Sequence, residues 1–471
     1  MNLSLFAAEI GVGLLALGLL ILSLAAGRRA AKLLLPLSVL GLFLLLAITG
    51  MQYGLNTNAF QGSWRIDDYA VFAKQIFIVA AIMVFLAAEI SVAAFSGNHS
   101  EFYVLMLFAL LGMFGMASAN DLITLYVSLE TMTISFYILV AYGVTDGKSP
   151  EAGLKYLILG ALSSAVLLFG MSMVYGSAGT TLLSGIASAK PDILLVFGSL
   201  LMLAGFAFKI TLAPFHMWAP DVYEGAPTPV TAFLAAASKA AGFVALLRVF
   251  LGGLPLSDGT WFLSLAILAA ITMVWGNLAA LPQTSIKRML AYSSVAQAGY
   301  ILVGMLADSS DGVNGVLFYM MIYTIANTGA FVVAMTVEKA TGSDAIANFA
   351  GLWKRAPLLG TVMTICLLSL AGIPPMAGFA GKFLLFSSIM DKGIYWPAFL
   401  GFIMSMISVY YYLKVALVIW RDDPASLPPV VTDWKVQWVA LLALGLTLLF
   451  GIYPAALLDV SFTAAKALFL H

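Results

Sequence analysis

The chain has 471 residues, of which 62% are hydrophobic and only 9% are charged, whereas a soluble domain carries about 25% charged residues. Lysine and arginine together number 22, as do aspartate and glutamate, so the basic excess of a nucleic-acid-binding protein is absent. One cysteine, Cys366, and three histidines, His99, His216 and His471, are too few for an iron–sulfur cluster, a structural zinc site or a disulfide framework. The composition predicts a polytopic membrane protein without a redox metal of its own.

Apolar stretches of about 20 residues, long enough to cross about 30 Å of hydrocarbon, follow one another along the chain. We predict fourteen spans: 4–25, 33–53, 72–95, 102–119, 122–142, 153–175, 193–214, 228–250, 261–281, 287–306, 313–337, 357–390, 396–420 and 437–459. Most are rich in glycine, alanine and serine, which suits close helix packing in lipid. The sequence therefore predicts an all-α fold of about fourteen transmembrane helices.

The basic residues predict how these spans are oriented, because cytoplasmic connections are enriched in lysine and arginine. The odd-numbered connections hold eleven of them: Arg28, Arg29, Lys32, Lys148, Lys287, Arg288, Lys339, Lys354, Arg355, Arg421 and Lys435. The even-numbered connections and the two termini hold four: Arg65, Lys190, Lys392 and Lys466. We therefore expect both termini on the outer side of the membrane, the periplasmic side of a bacterial plasma membrane.

Four charged residues lie at mid-membrane depth: Glu130, Lys209, Lys239 and Lys382. A charge there costs about 2.5–3.5 kcal/mol on insertion scales, and such residues usually mark ion pathways. One carboxylate cannot neutralise three lysines, so some of them must contact water or give up their proton. A static ion pair that fixes helix packing is the alternative, but the surplus of lysines favours a proton pathway.

Four further basic residues lie within or beside the spans. Lys74, Lys155 and Arg248 are near span ends, where the preferred interpretation is that the side chain reaches out to the interface. Lys414 lies six residues before the end of its span and fits either interpretation.

Proline interrupts two segments, 206–229 and 370–386. Proline removes a backbone donor, and unpaired backbone at membrane depth is tolerated only where it is buried in protein or lines a wet cavity. Lys209 precedes the first interruption and Lys382 follows the second. Paired interrupted helices in two halves of a chain are typical of inverted-repeat transporters.

We therefore predict two discontinuous helices, one in each of two inverted five-helix repeats. The predicted divisions are 1–100 with three helices, 101–251 with helices 4–8, 252–420 with helices 9–13, and 421–471 with a loop and helix 14. An offset of 173 residues maps Lys209 onto Lys382 and places Lys239 opposite position 412, close to Lys414. The same offset sets Glu130 opposite Val303, so that Glu130 has no counterpart.

Three sequence motifs stand out: LAPFHMWAPDVYEGAPTPVTAFLAAASKAAGF at 212–243, SIKRMLAYSSVAQAGYILVG at 285–304 and LAGIPPMAGFAGKF at 370–383. Together they resemble the proton-translocating, antiporter-like subunits of respiratory complex I. The amino-acid sequences of these motifs are most similar to those of the smallest of the three such subunits, and the resemblance covers residues 100–420. The resemblance implies a fold of fourteen helices in the membrane arm of an NADH–quinone oxidoreductase, where quinone reduction elsewhere drives protons across this subunit.

The resemblance also implies roles for individual residues. Glu130 matches the fifth-helix glutamate of a Glu–Lys pair, and Lys209 matches the lysine of the seventh helix. Lys239 matches the connecting lysine of the eighth helix, and Lys382 matches the terminal lysine of the twelfth. Lys155 matches a sixth-helix lysine near the input side, and His216 lies in the HxW element. The larger subunits carry histidines in the eleventh helix, whereas this chain has Tyr319, Tyr323, Asn327 and Thr328. Water and hydroxyl groups would therefore bridge the centre.

The implied partners are the lipid bilayer and the other membrane-arm subunits, including homologous antiporter-like ones. No nucleotide-binding motif is present, so we expect no cofactor on this chain; NADH or another donor and the quinone would bind elsewhere in the complex. Three alternatives remain: a subunit of a multi-subunit Na⁺/H⁺ antiporter, a subunit of a ferredoxin- or hydrogenase-linked complex, and a non-transporting assembly scaffold.

Overall fold

The computed structural model describes residues 3–27, 31–92, 99–144, 147–254, 260–421 and 427–469. The α-helices of these ranges are α1 Ala7–Ala26, α2 Ala31–Gly50, α3 Asp68–Val92, α4 His99–Ser118, α5 Leu122–Val140, α6 Lys148–Ala178, α7 Leu183–Ala187, α8 Ile193–Lys209, α9 Trp218–Gly225, α10 Thr228–Phe233, α11 Lys239–Gly252, α12 Thr260–Ala280, α13 Ile286–Met305, α14 Ser310–Thr341, α15 Leu352–Arg355, α16 Pro357–Ala371, α17 Ala377–Met390, α18 Trp396–Trp420, α19 Trp434–Ile452 and α20 Ala455–Leu468. A π-helical turn, Leu234–Ser238, joins α10 to α11. The predicted all-helical membrane fold is confirmed.

The other secondary-structure elements of the described residues are short. 3₁₀ turns lie at Leu3–Phe6, Phe60–Gly62 and Ile346–Phe349. One antiparallel hairpin connects α2 to α3, with β1 Thr57–Ala59 paired to β2 Trp64–Ile66. This hairpin is not predicted from the sequence, because its strands have only three residues each.

Eleven helices of the described ranges are long and apolar enough to cross a membrane. Three predicted spans are not among them: 193–214, 287–306 and 357–390. The first corresponds to α8, which has 17 residues, and the third to α16 and α17, which have 15 and 14; all three are short of a full crossing. The second corresponds to α13, which carries several polar side chains. The number fourteen stays a prediction.

Both interruptions lie where the prolines predict them. α8 ends at Lys209 and α9 begins at Trp218, while α16 ends at Ala371 and α17 begins at Ala377. The chain between these helices is anchored by hydroxyl groups, since the Ala213 N–H donates to Thr272 Oγ1 at 3.0 Å. Backbone freed by the prolines thus finds partners inside the protein.

The centre of the bundle is formed by two fully buried spans, Thr228–Gly252 and Ser310–Thr341. By contrast, α1, α2 and α19 bury about a third or less of their apolar stretch and expose large aliphatic side chains on the outside of the bundle. Of the buried lysines discussed below, Lys239 lies within the first of the two buried spans, whereas Lys209 lies on α8 and Lys382 on α17.

Two parts of the chain repeat one local pattern. Asp121 caps α5 and Ser285 caps α13, each accepting a hydrogen bond from the N–H three residues later. Asp121 also forms an isolated bridge with Leu182, and Ser285 forms one with Ala345. In both cases the partner lies just after the next long helix and just before a short helical turn.

The two caps offer a second way to align the predicted repeats. Glu130 and Ser294 each come nine residues after their cap, whereas the uniform offset of 173 set Glu130 opposite Val303. The correspondence between the two repeats stays a prediction.

The last predicted span, 437–459, is divided by Pro454. α19 ends at Ile452, and α20 follows as a separate helix that packs against α14 and α3. Ser461 of α20 donates a hydrogen bond to Asn314 Oδ1 on α14 at 2.6 Å. Residues 421–471 therefore contribute two helices within their described part.

Contacts between connections show which ends of the helices lie together. Lys435 contacts Glu89, and Lys287 pairs with Glu338 at 2.7 Å, which groups odd-numbered connections at one end. At the opposite end, Arg65 donates to the Ala467 carbonyl at 3.0 Å. Arg28, Arg29, His471 and the N-terminal residue lie outside the described residues, and the sidedness of the bundle stays a prediction.

Candidate proton-transfer site

The three predicted mid-membrane lysines are buried. Lys209 is 6% exposed, Lys239 is 2% exposed and Lys382 is 4% exposed. Each ammonium group donates to a hydroxyl or carbonyl oxygen, and among the described residues none forms an ion pair within 4.0 Å. Buried charge without a counter-charge is unstable in a low dielectric, so these groups are suited to protonation and deprotonation.

Lys209 is the last residue of α8, where the negative end of the helix dipole favours a cation. Its Nζ donates to Thr133 Oγ1 at 3.0 Å. Glu130, one turn earlier on the same helix as Thr133, is half-buried and accepts a hydrogen bond from Ser164 Oγ at 2.6 Å. The structure thus brings the predicted pair into one region but binds each member to a separate hydroxyl.

Lys239 follows the π-helical turn Leu234–Ser238 directly. Such turns are uncommon and occur frequently at functional sites. Its Nζ donates to the Ser294 carbonyl at 2.6 Å and also contacts the Ser294 hydroxyl. A carbonyl of α13 is still able to accept this bond because a carbonyl oxygen has two lone pairs.

Lys382 lies on α17, immediately after the second interruption. Its Nζ donates to the Ala371 carbonyl at 3.0 Å and to Ser405 Oγ at 2.9 Å, and it sits 4.6 Å from the centroid of the Tyr300 ring. The ring face and the carbonyl at the C-terminus of α16 both favour a cation. A crevice of about 590 Å³ between α17 and α18 reaches this lysine and is otherwise mainly apolar.

A polar stripe on α13 runs between the surroundings of Lys239 and those of Lys382. Ser293, Gln297 and Tyr300 form this stripe; they are spaced three to four residues apart and therefore share one face of the helix. Tyr319 donates to Gln297 Oε1 at 2.5 Å, and Gln297 Nε2 donates to Tyr412 OH at 3.1 Å. Tyr412 in turn shares a hydrogen bond with Ser293 at 2.5 Å. The stripe begins beside Ser294, which holds Lys239.

A second branch leads to the ring beneath Lys382. Asn277 Nδ2 donates to Tyr300 OH at 2.8 Å, and Tyr411 OH donates to Asn277 Oδ1 at 3.0 Å. Tyr300 is the residue whose ring faces Lys382. Hydroxyl and amide groups, which can both donate and accept hydrogen bonds, therefore extend from the Lys239 region to Lys382.

The central helix α14 adds polar groups to this region. Tyr323 OH, Thr324 Oγ1, both amide atoms of Asn327 and Thr328 Oγ1 are buried and have no hydrogen-bond partner among the described residues. Buried polar atoms of this kind usually bind ordered water. The predicted bridging role of Tyr323, Asn327 and Thr328 is consistent with this placement, and it stays a prediction.

The remaining predicted site residues lie apart from the buried lysines. His216 packs beside the rings of Trp275 and Tyr292, and its Nδ1 has no partner in the described part of the chain. Lys155 has a side chain that is 45% exposed and pairs with acidic groups at the end of the bundle. Lys414 is half-buried and makes no ion pair with a described residue.

Lys155 belongs to an ion-pair cluster that joins the two parts of the chain. Lys155 pairs with Asp221 at 2.9 Å, and Lys148 pairs with Glu224 at 3.0 Å. Arg288 of α13 contacts both acids, at 3.0 and 2.9 Å. The acidic residues of the DVYEG motif thus bind bases from α6 and α13.

Sequence reasoning missed two buried ion pairs. Lys74 is 0% exposed and contacts Glu9 of α1. Arg248 forms two hydrogen bonds with Asp67, at 3.0 and 2.8 Å, and Arg65 approaches the same carboxylate to 3.0 Å. The interpretation that Lys74 and Arg248 reach the membrane interface is therefore wrong, because carboxylates from distant segments neutralise them inside the protein.

No group of three or more His, Cys, Asp or Glu side chains within the described ranges is placed to hold a metal ion. The oxygen atoms around the three lysines are hydrogen-bond acceptors for ammonium groups rather than a cage for a cation. Chemically, the lysines of this arrangement can take up and release protons, and the hydroxyl and amide groups around them can orient water by hydrogen bonds.

Comparisons with known proteins agree with the predicted family. Residues 119–408 match the family described as NADH:quinone oxidoreductase/Mrp antiporter, transmembrane. The NADH-quinone oxidoreductase subunit N of Heliobacterium modesticaldum is 55% identical over all of this chain and all of its own. A chain of respiratory complex I from Thermus thermophilus is 32% identical, with 96% of this chain and 98% of that chain covered and a TM-score of 0.82.

A chain of the Mrp complex from a Dietzia species also superimposes, with a TM-score of 0.89 over 100% of this chain and 98% of that one. Its sequence is only 21% identical, so this likeness shows the fold alone. The family model and the full-length identity carry the assignment: the chain belongs to the NADH-quinone oxidoreductase subunit N family, among the antiporter-like membrane subunits.

Proposed function

We propose that this chain is a membrane-arm subunit of NADH–quinone oxidoreductase and that it moves protons along Glu130, Lys209, Lys239 and Lys382. The observation that carries the proposal is the burial of three lysines whose ammonium groups meet neutral oxygen acceptors. Such lysines can release and regain a proton more readily than ion-paired ones. Relatives named as subunits of this oxidoreductase support the assignment.

In the proposed path, a proton enters from the cytoplasm near the cluster around Lys155 and reaches Lys209 or Lys239. It then crosses the polar groups of α13 and the hydrated region around Tyr323 to Lys382. From there it leaves on the outer side. His216 and Lys414 are supporting residues in this proposal, with His216 packed near the first interruption.

Glu130 acts in the proposal as an electrostatic switch. When its carboxylate lies close to Lys209, it stabilises the ammonium form, and when the two separate, the proton moves on. Separation from about 4 to about 8 Å is worth about 2 kcal/mol at an effective dielectric constant of about 20. That corresponds to more than one pKa unit, which is enough to bias a relay.

The proposal includes the predicted architecture of about fourteen spans with inverted repeats at 101–251 and 252–420. The matching caps and bridges of α5 and α13 and the single interruption in each half support it. The excess of basic residues in odd-numbered connections supports a bacterial plasma-membrane location with both termini outside.

The proposal places redox chemistry in other subunits. This chain holds no cofactor in it, and NADH, or another donor, and the quinone react elsewhere in the complex. The partners are the remaining membrane-arm subunits, including homologous antiporter-like ones. The chain's own contribution is to couple their conformational or electrostatic changes to proton movement.

One experiment tests both the assembly and the switch. The tagged chain, wild-type or Glu130→Gln, is purified from native membranes with its partners and reconstituted into vesicles, and NADH–quinone turnover and proton uptake are measured. We expect co-purification with flavin and iron–sulfur subunits, and a proton-to-electron ratio that falls in Glu130→Gln but not in Asp459→Asn, which removes an exposed carboxylate on α20.

Two results would contradict the proposal. Purification with a few small membrane subunits and no redox centre would assign the chain to a Na⁺/H⁺ antiporter, whose fold it shares with the Mrp complex. A Glu130→Gln complex that pumps at the wild-type ratio would remove Glu130 from the mechanism.

A further inference from the structure

Glu130 and Lys209 are held by two different hydroxyl groups. Ser164 Oγ on α6 donates to Glu130 Oε1 at 2.6 Å, and Lys209 Nζ donates to Thr133 Oγ1 at 3.0 Å. Among the described residues, no ion pair within 4.0 Å links the carboxylate to the ammonium group. The structure therefore shows the pair in its separated arrangement.

The two hydroxyl groups are buried and oriented for these tasks. Thr133 is 0% exposed, and its own proton is donated to the Leu129 carbonyl at 2.7 Å, so its oxygen lone pairs are left for Lys209. Ser164 is 4% exposed and points its hydroxyl proton at the carboxylate. In such buried surroundings water competes little for either bond.

The helices that carry these groups are fixed against each other. Next to Ser164, Ser163 Oγ donates to the Gly205 carbonyl on α8 at 3.2 Å. A Cβ atom at Gly205 would lie 2.6 Å from Leu167 Cβ on α6, so these two helices approach as closely as glycine allows. The backbones of Ser164 on α6 and Lys209 on α8 thus have little freedom to move relative to one another, so the pair can close only by rotation of the Glu130 or Lys209 side chain.

We propose that Ser164 and Thr133 are positioning residues that stabilise the separated arrangement of Glu130 and Lys209 and thereby set how easily the switch closes. This inference rests on the proposed function of the pair. A hydrogen bond to an ionised group and the Coulomb gain from closing the pair are of similar size. Loss of one hydroxyl should therefore shift the balance toward the closed pair about tenfold.

The expected consequence is a lysine that keeps its proton too well. The other titratable groups that face Glu130 are Tyr126 and Tyr137 on α5 and Tyr156 on α6, in addition to Lys209 on α8. Tyr126, Tyr137 and Tyr156 carry neutral phenol groups, so a closed pair would change the charge balance through Lys209 alone.

The test uses the intact complex in proteoliposomes. Ser164→Ala is expected to reduce coupled turnover about three- to tenfold, to leave the KM for quinone unchanged, and to move the pH optimum of pumping upward, because proton release then needs a more alkaline medium. Ser164→Thr keeps the hydroxyl and should restore the wild-type profile. Ser172→Ala, on the exposed side of the same helix, is the matched control and should behave as wild type.

A second variant keeps the test decisive where Ser164→Ala reduces assembly. Thr133→Val is nearly isosteric and removes the acceptor of Lys209, so it should move the pH profile in the same direction. Unchanged pH profiles in both variants, with only lower yields of complex, would overturn the inference.

Failure of this inference is distinguishable from failure of the proposed function. If Glu130→Gln abolishes pumping while Ser164→Ala and Thr133→Val leave the pH profile unchanged, the switch stands and the positioning role is wrong. If Glu130→Gln pumps normally, the proposed function itself is wrong.

Discussion

In the first half of the chain, Lys209 lies near a helix that carries a carboxylate, Glu130, whereas in the second half Lys382 makes its hydrogen bonds and ring contact with neutral groups. Those groups are the Ala371 carbonyl, the Ser405 hydroxyl and the face of the Tyr300 ring. A carboxylate that moves changes the energy of a nearby ammonium group by an amount that neutral acceptors cannot match. In the proposed mechanism the first half therefore supplies the switch, and the second half holds a proton among neutral acceptors.

The same difference is visible at one pair of corresponding positions. Nine residues after its helix cap, α5 carries Glu130 and α13 carries Ser294. Glu130 is bound by a serine of another helix, while Ser294 is itself the group that binds Lys239. A shared backbone pattern thus presents a charged acceptor in one half and a neutral acceptor in the other.

The halves also differ in how they are anchored to the rest of the chain. The last helix of the first half, α11, is tied to the N-terminal segment by the buried pair of Arg248 and Asp67. The last helix of the second half, α18, carries Lys414, which is half-buried and makes no ion pair with a described residue.

The difference in anchoring can be tested by replacing one basic residue in each half with a neutral one. Arg248→Gln leaves the carboxylate of Asp67 buried, and breaking a buried pair costs about 3–5 kcal/mol. We expect the lower end of that range, because Arg65 keeps its 3.0 Å contact with Asp67. Lys414→Gln should change stability little. The measurement is the thermal midpoint of the detergent-solubilised complex, and equal losses in the two variants would contradict the comparison.

The second interruption can be tested through its closest helix contact. A Cβ atom at Gly378 would lie 1.8 Å from the Ser369 carbonyl oxygen, so Gly378→Ala must push α17 away from α16. We expect a loss of about 1–3 kcal/mol, the usual range for forced overpacking, and a weaker contact of Lys382 with the end of α16. Thermal unfolding and yield of the assembled complex measure this.

The matched control is Gly445→Ala on α19, where an added Cβ meets no heavy atom within 4 Å. This variant should unfold at the wild-type temperature or slightly above it, since alanine favours helix. If Gly378→Ala were equally harmless, the close approach at the second interruption would not be a determinant of stability.

The sequence identifies the local features of both halves but not their partners. Proline and charge act at their own positions, so both interruptions and the buried lysines could be predicted. Hydropathy gives the depth of a residue but neither the rotation of its helix nor its neighbour. The binding of Lys239 to Ser294, 55 residues away, therefore could not be predicted.

The N-terminal ion pairs illustrate the same limit. Glu9 and Lys74 lie in separate spans, and either side chain alone is compatible with a position near the interface. Only the packing of α1 and α3 against α4 brings them together.

The smallest effect on stability that we expect concerns the ion-pair cluster where the two halves meet. Burial acts to raise the pKa of Asp221, but hydrogen bonds from Lys155 and Arg288 outweigh it and hold the pKa below its usual value. Burial likewise acts to raise the pKa of Glu224, and Arg288 and Lys148 lower it below the ordinary range. A carboxylate with a lowered pKa in the folded state stabilises that state above its unfolded pKa of about 4.

This contribution should be constant from neutral pH to about pH 5 and should disappear as the pH falls through the lowered pKa values. Asp221→Asn removes part of it at neutral pH, so its thermal midpoint should depend less on pH between about 5 and 3 than that of the wild type. The difference should be modest, because ion pairs that water reaches contribute little. Parallel acid profiles for the two proteins would mean that Arg288 joins α9 to α13 by contact alone and that charge at this junction does not stabilise the link between the halves.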